Sequence, residues 1–499
     1  MTMANSPQQR IHFIGICGVA MSALAIAFKK QGWLVTGSDA GFFPPISTEL
    51  EKHEIKFYPG WHPDKMIASG VPEMVVVGNV ASSGNPEWLY VQKQSIPYLS
   101  YPELIAKCIV KANSIVCAGT YGKTTTSALL AWILTEAKFD PSYMFGGLCL
   151  KNPSPSRGGI GRGYSEANEA IFPSAKLSDS HWSVLEGDEY KSARWDNRPK
   201  FSHYSPTRLL LTSILWDHAD VYPAEALYFE AFKKLLQMMP KDGAVVACVN
   251  DTKIQSLISN FQPARIASRL EAGGFSVIQY GLSKEVDYEY KNVKQNKAGI
   301  SFEIVHHDNQ FHIESPLLGD FQAANITGVF ALATSIGIPA EKIIAAIAAF
   351  PGLKRRLEKR FAGAITVFDD IAHSPAKARA TLATLRQIYT GKIITVFEPN
   401  TGNRKLEAIN SYTDAFRAAD EVIIPRLTKL KKDHKDTVGT LNGEQLAQII
   451  GRTHKNVICI DSDTELVAHL KKSGGANSVI VFLGSHGFRG MIEALLTQL

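Results

Sequence analysis

Runs of four to six mostly apolar residues recur along this chain, several followed by a glycine or an acidic residue and then by a segment that reads as a helix. Residues 11–16, 33–36 and 74–78 form one set, 114–117, 182–185 and 209–212 a second, and 365–368, 393–397, 421–424 and 479–483 a third. Consecutive positions in these runs are apolar, which is how parallel strands buried on both faces read. Strands alternating with helices predict an α/β protein with doubly wound sheets. At 499 residues the chain exceeds what one core organises. The expected division is an N-terminal Rossmann-like domain over residues 1–110, a central phosphate-loop ATPase-like domain over 111–350 and a C-terminal Rossmann-like domain over 351–499. Pro351-Gly352 marks the second junction by breaking a helix, and Lys354-Arg355-Arg356 places three cations just past it.

Composition narrows the class. The apolar stretch 11–28 follows Arg10 and superficially resembles a secretory leader. Gly15 and Gly18 interrupt it, however, and it runs into Lys29-Lys30 and then a second strand, which is the pattern of a βαβ unit. No other run approaches the roughly 20 apolar residues of a membrane span. Hydrophobic content of 45% and charged content of 20% describe a soluble globular protein. Lysine and arginine total 53 against 47 acidic residues, a net charge of +6. That excess favours an anionic small molecule but is too mild to point to nucleic acid. The densest basic run, at 429–435, includes Asp433 and reads as a solvated loop. Six cysteines without C-x-x-C spacing predict reduced thiols in a cytoplasmic protein, with neither a disulfide framework nor a zinc site.

The strongest chemical signal is Cys117-Ala118-Gly119-Thr120-Tyr121-Gly122-Lys123-Thr124-Thr125-Thr126. It lies between an apolar strand and a helix, the setting in which backbone N–H groups and a helix N-terminus cradle phosphate. Lys123 would meet the outer phosphates of a nucleotide and the Thr124 hydroxyl a Mg²⁺ ion. The full G-x-x-x-x-G-K-[ST] pattern departs only at its first position, Cys117. Two acidic clusters, Glu186-Gly187-Asp188-Glu189 and Asp217-His218-Ala219-Asp220, follow apolar strands that would end on the same sheet edge. Ligands of open α/β sheets bind at that edge, and a carboxylate there can hold the metal. Near the N-terminus, Gly15-Ile16-Cys17-Gly18-Val19-Ala20 departs from the dinucleotide fingerprint at Cys17 and Ala20. It remains suited to a diphosphate at the helix N-terminus, with Asp39 placed to reach a ribose. The Gly-rich stretch 152–164 has no strand leading into it and reads as a loop.

Taken in order, the Gly15/Gly18 turn, the 118–125 loop, the 186–189 cluster, Asp217-His218, Asn325, Arg355-Arg356, and Asp369-Asp370 with Ala372-His373 resemble the Mur ligases across nearly the whole chain. Four stretches are most similar to the branch that attaches a recycled peptide: 15–18; 36–39 with Pro44-Pro45; Gly78-Asn79 with Gly84-Asn85-Pro86; and Asp188-Glu189-Tyr190 with Asp196, Arg198, Lys200-Phe201 and His203-Tyr204. The resemblance implies a three-domain, ATP-dependent, ADP-forming ligase of peptidoglycan recycling. UDP-N-acetylmuramate would be joined to L-Ala-γ-D-Glu-meso-diaminopimelate through an acyl phosphate. It implies Lys123, Glu186 and His218 as catalytic groups, with Thr124, Glu186 and His218 holding Mg²⁺. ATP would bind at Gly119, Thr120, Gly122, Lys123, Thr124, Thr125, Asn325, Arg356 and Asp370, and the UDP-sugar at Gly15, Gly18, Ser38, Asp39 and Asn79. Which of Lys191 and Lys200, if either, is the carbamylated lysine of some family members stays open. The family's G-x-H-N-x-x-N reads Gly319-Asp320-Phe321-Gln322-Ala323-Ala324-Asn325, so the role of Gln322 toward adenine also stays open. Tyr121 and Ser374 stand where relatives commonly have histidine, and Ser485-His486-Gly487 replaces a more Gly-rich turn.

Competing expectations are an L-alanine-adding ligase with the same mechanism, a folylpolyglutamate-type ligase, and a non-catalytic nucleotide-binding regulator. The full N-terminal domain disfavours the second. Lys123, Thr124 and Glu186 together disfavour the third, since a binding module has little need of a metal carboxylate.

Overall fold

The computed structural model describes residues 8–42, 46–150, 172–216, 221–261, 274–428 and 440–499. Pro44-Pro45, the 152–164 stretch, Asp217-His218 and the basic run 429–435 lie outside these residues.

Three sheets organise the chain. The first holds β1 (Arg10–Ile14), β2 (Leu34–Asp39), β3 (Lys56–Pro59), β4 (Met74–Val77) and β5 (Tyr98–Ser100), all parallel in the order β3-β2-β1-β4-β5. Strand order reverses between β1 and β4, so their carboxyl ends open a crevice where loops diverge. Gly15 leaves β1 at that point with φ +87°, and a Cβ there would come within 2.5 Å of Val80 Cγ1. Only glycine satisfies both the backbone angle and the close approach.

The central sheet has ten strands: β6 (Asn113–Ala118), β7 (Ser142–Met144), β8 (Ala175–Lys176), β9 (Trp182–Gly187), β12 (Arg208–Leu211), β13 (Ala244–Cys248), β14 (Ser276–Gly281), β15 (Tyr288–Asn296), β16 (Gly299–His306) and β17 (Asn309–Ser315). β10 (Lys191–Ala193) and β11 (Asp196–Pro199) form a separate antiparallel ribbon. β6 lies between β9 and β12, parallel to both, with Cys117 opposite Glu186 and Ala118 opposite Leu211. The antiparallel run β15–β16–β17 departs from the expected parallel pattern. Along β15 buried and more exposed positions alternate, as in a sheet with one face on the core, so no continuous apolar run announces it.

The third sheet, β18 (Glu358–Ala362), β19 (Thr366–Asp370), β20 (Ile393–Glu398), β21 (Glu421–Pro425), β22 (Val457–Ile460) and β23 (Val479–Gly484), has the order β18-β19-β23-β20-β21-β22. Only β18 is antiparallel to its neighbour. One apolar cluster runs continuously through the first two sheets, whereas the third sheet packs its own clusters on its two faces. A short tie joins that lobe to the centre: Lys354 N donates to Leu148 O at 2.7 Å and Leu150 N to Gly352 O at 3.0 Å.

One buried acid makes the C-terminal lobe sensitive to pH. Burial pushes the Asp369 carboxyl up to about 6, with Glu358 adding to the shift and Arg355 and Arg360 opposing it. The folded form therefore binds this proton more tightly than the unfolded chain, where an aspartate titrates near about 3.9. Its contribution to stability is fully present below about pH 4 and is lost as pH rises through about 6, a change on the order of 3 kcal/mol. Asp369→Asn cannot ionise. The expected result is that the melting temperature of the parent falls relative to the variant between pH 4 and 7; parallel pH profiles would refute the assignment.

Candidate active site

The phosphate loop is built where β6 ends. Gly119 has φ +140° and a Cβ on it would collide with Thr212 Oγ1 at 2.3 Å; Gly122 has φ +86° and faces Asn325 Oδ1 at 2.4 Å in the same sense. Neither position accommodates a side chain. The loop is braced from β12's exit: Thr120 N donates to Ser213 O at 2.9 Å, Tyr121 N to Ser213 Oγ at 3.1 Å, and Thr120 Oγ1 to Leu215 O at 2.6 Å. Gly122 then caps the helix Lys123–Glu136, whose first N–H groups have no intrahelical acceptor and, with no side-chain cap present, remain available to an anion.

Lys123 Nζ donates to Gly119 O at 2.6 Å and to Glu189 Oε1 at 3.0 Å. Burial works against its charge, but Glu189, Asp188 and Glu186 outweigh that and hold its pKa above the usual lysine value. The ammonium is thus fully charged at neutral pH. Thr124 Oγ1 donates to Glu186 Oε1 at 2.8 Å, and Glu186 Oε2 accepts from Gly146 N at 2.5 Å. Glu186 belongs to β9 itself and reaches Thr124 because the two strands run parallel in register. One hydroxyl and one carboxylate at this spacing are the hard oxygen donors that suit Mg²⁺, which completes its shell with water and phosphate. Among the described residues no group of three or more His, Cys, Asp or Glu gathers as a metal site, and His218 is not among those residues.

Two residues from the third lobe approach this centre unequally. Arg356 NH2 reaches Thr124 Oγ1 at 3.3 Å. Asp370 is buried and turned inward, accepting from Leu357 N at 2.7 Å and Ala372 N at 2.8 Å. It therefore shapes the turn that carries Arg356. Thr125 lies buried on the first helical turn. Asn325 donates to Gln322 Oε1 at 3.0 Å, so these two side chains act as a pair beside Gly122. Phe321 is 44% exposed at the start of the same helix, one turn from Asn325.

The N-terminal candidates sit at or just past the carboxyl ends of β1, β2 and β4. Gly18 caps the helix Val19–Lys30. Asp39 Oδ2 accepts from Cys17 N at 2.8 Å and so shapes the turn. The Ser38 hydroxyl points inward to Glu87, a carboxylate that also accepts from Tyr58 Oη at 2.6 Å and His62 N at 2.8 Å. Burial raises the pKa of Glu87, but His12, Ser38 and Tyr58 outweigh it and keep the group ionised. Asn85, read from sequence only as part of a motif, caps the helix Pro86–Lys93 by accepting from Glu87 N and Trp88 N, both at 3.0 Å. Asn79 is exposed, and its Nδ2 donates to Lys191 O at 3.3 Å. Of the two lysines left open, Lys200 pairs with Asp188 at 2.5 Å, while Lys191 is exposed on the ribbon. Glu189, which the sequence places in an acidic cluster without assigning it a role, is the carboxylate that meets Lys123.

Residues 117–333 match the Mur ligase middle domain, 10–111 the Mur ligase family catalytic domain, and 355–486 the Mur ligase glutamate ligase domain. The chain is 30% identical to the UDP-N-acetylmuramate–L-alanyl-γ-D-glutamyl-meso-2,6-diaminoheptandioate ligase of Haemophilus influenzae, over 80% of this chain and 81% of that protein. This chain belongs to the Mur ligase family. It is accordingly an ATP-dependent, amide-forming ligase. It is also 28% identical to the UDP-N-acetylmuramate–L-alanine ligase of Pelagibacter ubique, over 98% of this chain and 97% of that one. Among solved structures, a murein peptide ligase from Psychrobacter arcticus superposes with a TM-score of 0.69 at 25% identity, covering 98% of both chains. No helix among the described residues is long and apolar enough to cross a membrane.

Proposed function

We propose that this ligase joins the lactyl carboxylate of UDP-N-acetylmuramate to the amine of L-Ala-γ-D-Glu-meso-diaminopimelate, in the cytoplasm, as a step of peptidoglycan recycling. The observation that carries the reading is the likeness to the Haemophilus ligase, whose name states that acceptor. The donor carboxylate attacks the γ-phosphorus of ATP, forming an O–P bond as the bond to ADP breaks. The peptide amine then attacks the resulting acyl phosphate, a tetrahedral intermediate forms, and phosphate leaves. Both anions repel at the first step, so the site must supply cations there. Lys123 is the buried ammonium available on the loop, and Arg356 is the cation contributed by the third lobe. Mg²⁺ on Thr124 and Glu186, with a second ion on His218, would neutralise charge at the γ-phosphate and the acyl carboxylate. The bases of the two nucleotides would lie by Asn325 and in the β1/β4 crevice respectively.

The similarity to the Pelagibacter protein over nearly the full chain favours a second reading, in which free L-alanine is the acceptor. Phosphate release with UDP-N-acetylmuramate and ATP separates the two. The tripeptide is expected to support turnover at least about ten-fold faster than L-alanine, one extra recognised contact being worth that much. Comparable or faster release with L-alanine would establish the second reading.

A further inference from the structure

The ribbon β10–β11 leaves the central sheet beside the phosphate loop and ends on the other lobe. Its base is held by the reactive centre: Glu189 pairs with Lys123 at 2.9 Å, and Asp188 with Lys200 at 2.5 Å across the two entering strands. Lys200 N donates to Tyr190 O at 2.9 Å and closes the base. Arg194 and Trp195 form its two-residue tip, between Ala193 and its partner Asp196. At that tip Arg194 Nε donates to Ala81 O at 2.6 Å. The Trp195 ring lies 5.0 Å from Trp88 and 5.5 Å from Tyr98, both in the first lobe. Asn79, on the loop leaving β4, reaches Lys191 O. Ala81 and Asn79 belong to the segment that walls the β1/β4 crevice.

A two-stranded ribbon of this length has little stability of its own in water, so its geometry is set by what it touches at each end. Trp195 is 40% exposed at the tip of a short projection, and the side chains supporting it come from the other lobe. An exposed tryptophan placed there does little for the central core. We infer that the ribbon is the strut that seats the first lobe over the phosphate loop, with Arg194 and Trp195 as positioning residues for the donor nucleotide-sugar. This rests on the donor assignment made above. One end of the strut meets the lysine that faces the γ-phosphate, and the other end meets the wall of the donor crevice. The distance between the donor carboxylate and the phosphorus is therefore governed by one piece held at both ends. Misplacement of reacting groups by about 1 Å is enough to slow a reaction of this kind on the order of a hundred-fold.

The test compares the parent with Trp195→Ala and Trp195→Phe, titrating UDP-N-acetylmuramate and ATP separately by calorimetry and recording small-angle scattering of the ligand-free proteins. Trp195→Ala is expected to weaken donor binding about ten-fold, the loss of two aromatic pairs, and to leave ATP affinity within about two-fold. Trp195→Phe should recover most of the donor affinity. The Trp195→Ala scattering profile should show a larger radius of gyration. Donor affinity equal to the parent's, or an equal loss toward ATP, would overturn the inference. A parent protein that does not bind UDP-N-acetylmuramate would instead refute the donor assignment; an unchanged scattering profile in Trp195→Ala would then overturn the strut on its own.

Discussion

Lys123→Ala is expected to abolish ligation while leaving the protein folded. Its ammonium is enclosed by Gly119 O, Thr120 O and the Glu189 carboxylate, and no apolar side chain in the core depends on it. The three carboxylates around it keep it charged, so it would meet the transferring phosphoryl group as a full cation. Removing one such preorganised electrostatic contact costs a factor of about 10² to 10³ in rate, and more where the repelling reactants are both anions. Glu189 makes the variant informative in a second way. With the lysine gone, a carboxylate that is 1% exposed loses the ammonium 2.9 Å away. ATP binding should weaken as well, because no ammonium then offsets the Glu189 carboxylate as the phosphates approach. Steady-state phosphate release and ATP affinity give both numbers, and circular dichroism checks the fold. Turnover within a few-fold of the parent would show that the loop is only structural.

Glu186→Gln should raise the Mg²⁺ concentration needed for activity and weaken Mg·ATP binding. The carboxylate lies 2.8 Å from the Thr124 hydroxyl and is oriented by Gly146 N. A carboxamide keeps the shape but presents one neutral oxygen to the ion. Disturbing even the residues that support a metal ligand costs about 10- to 100-fold in affinity, so losing the charged ligand should cost at least that. His218→Ala offers the contrast. If that histidine serves a second ion at the acyl carboxylate, its loss lowers turnover with UDP-N-acetylmuramate present and leaves Mg·ATP binding near the parent's. A Mg²⁺ titration of ATP affinity and of turnover distinguishes the two variants. Identical curves for His218→Ala and the parent would leave that histidine with no metal role, and unchanged Mg·ATP affinity in Glu186→Gln would remove the proposed ligand pair.

Several parts of this protein were legible before any coordinates. The parallel strands were visible because burial on both faces requires consecutive apolar residues, as in β6 and β23. The phosphate loop was visible because a left-handed turn and close backbone approach admit only glycine at Gly119 and Gly122, and the helix that follows needs a particular start. The strands β15–β17 were not visible, because a sheet with one solvated face shares its alternation with many exposed segments. Asp39 and Asp370 illustrate a different limit. Both are expected from sequence to touch ligand, and in the fold both carboxylates also accept from backbone N–H groups of the turns beside them, a role that the residue type alone does not announce.

By itself the sequence determined the α/β class, the family, and the residue types at the phosphate loop, since those follow from local rules linking neighbouring positions. Tertiary structure alone decided which side chains meet. Thr124 finds Glu186 across 62 residues, Arg356 finds Thr124 across 232, and Arg194 finds Ala81 across 113. Contacts at such separations depend on sheet order and on how lobes pack, and neither leaves a periodic trace in the chain. The ribbon tip shows this most plainly: Arg194 and Trp195 look like ordinary surface residues until the first lobe is placed against them.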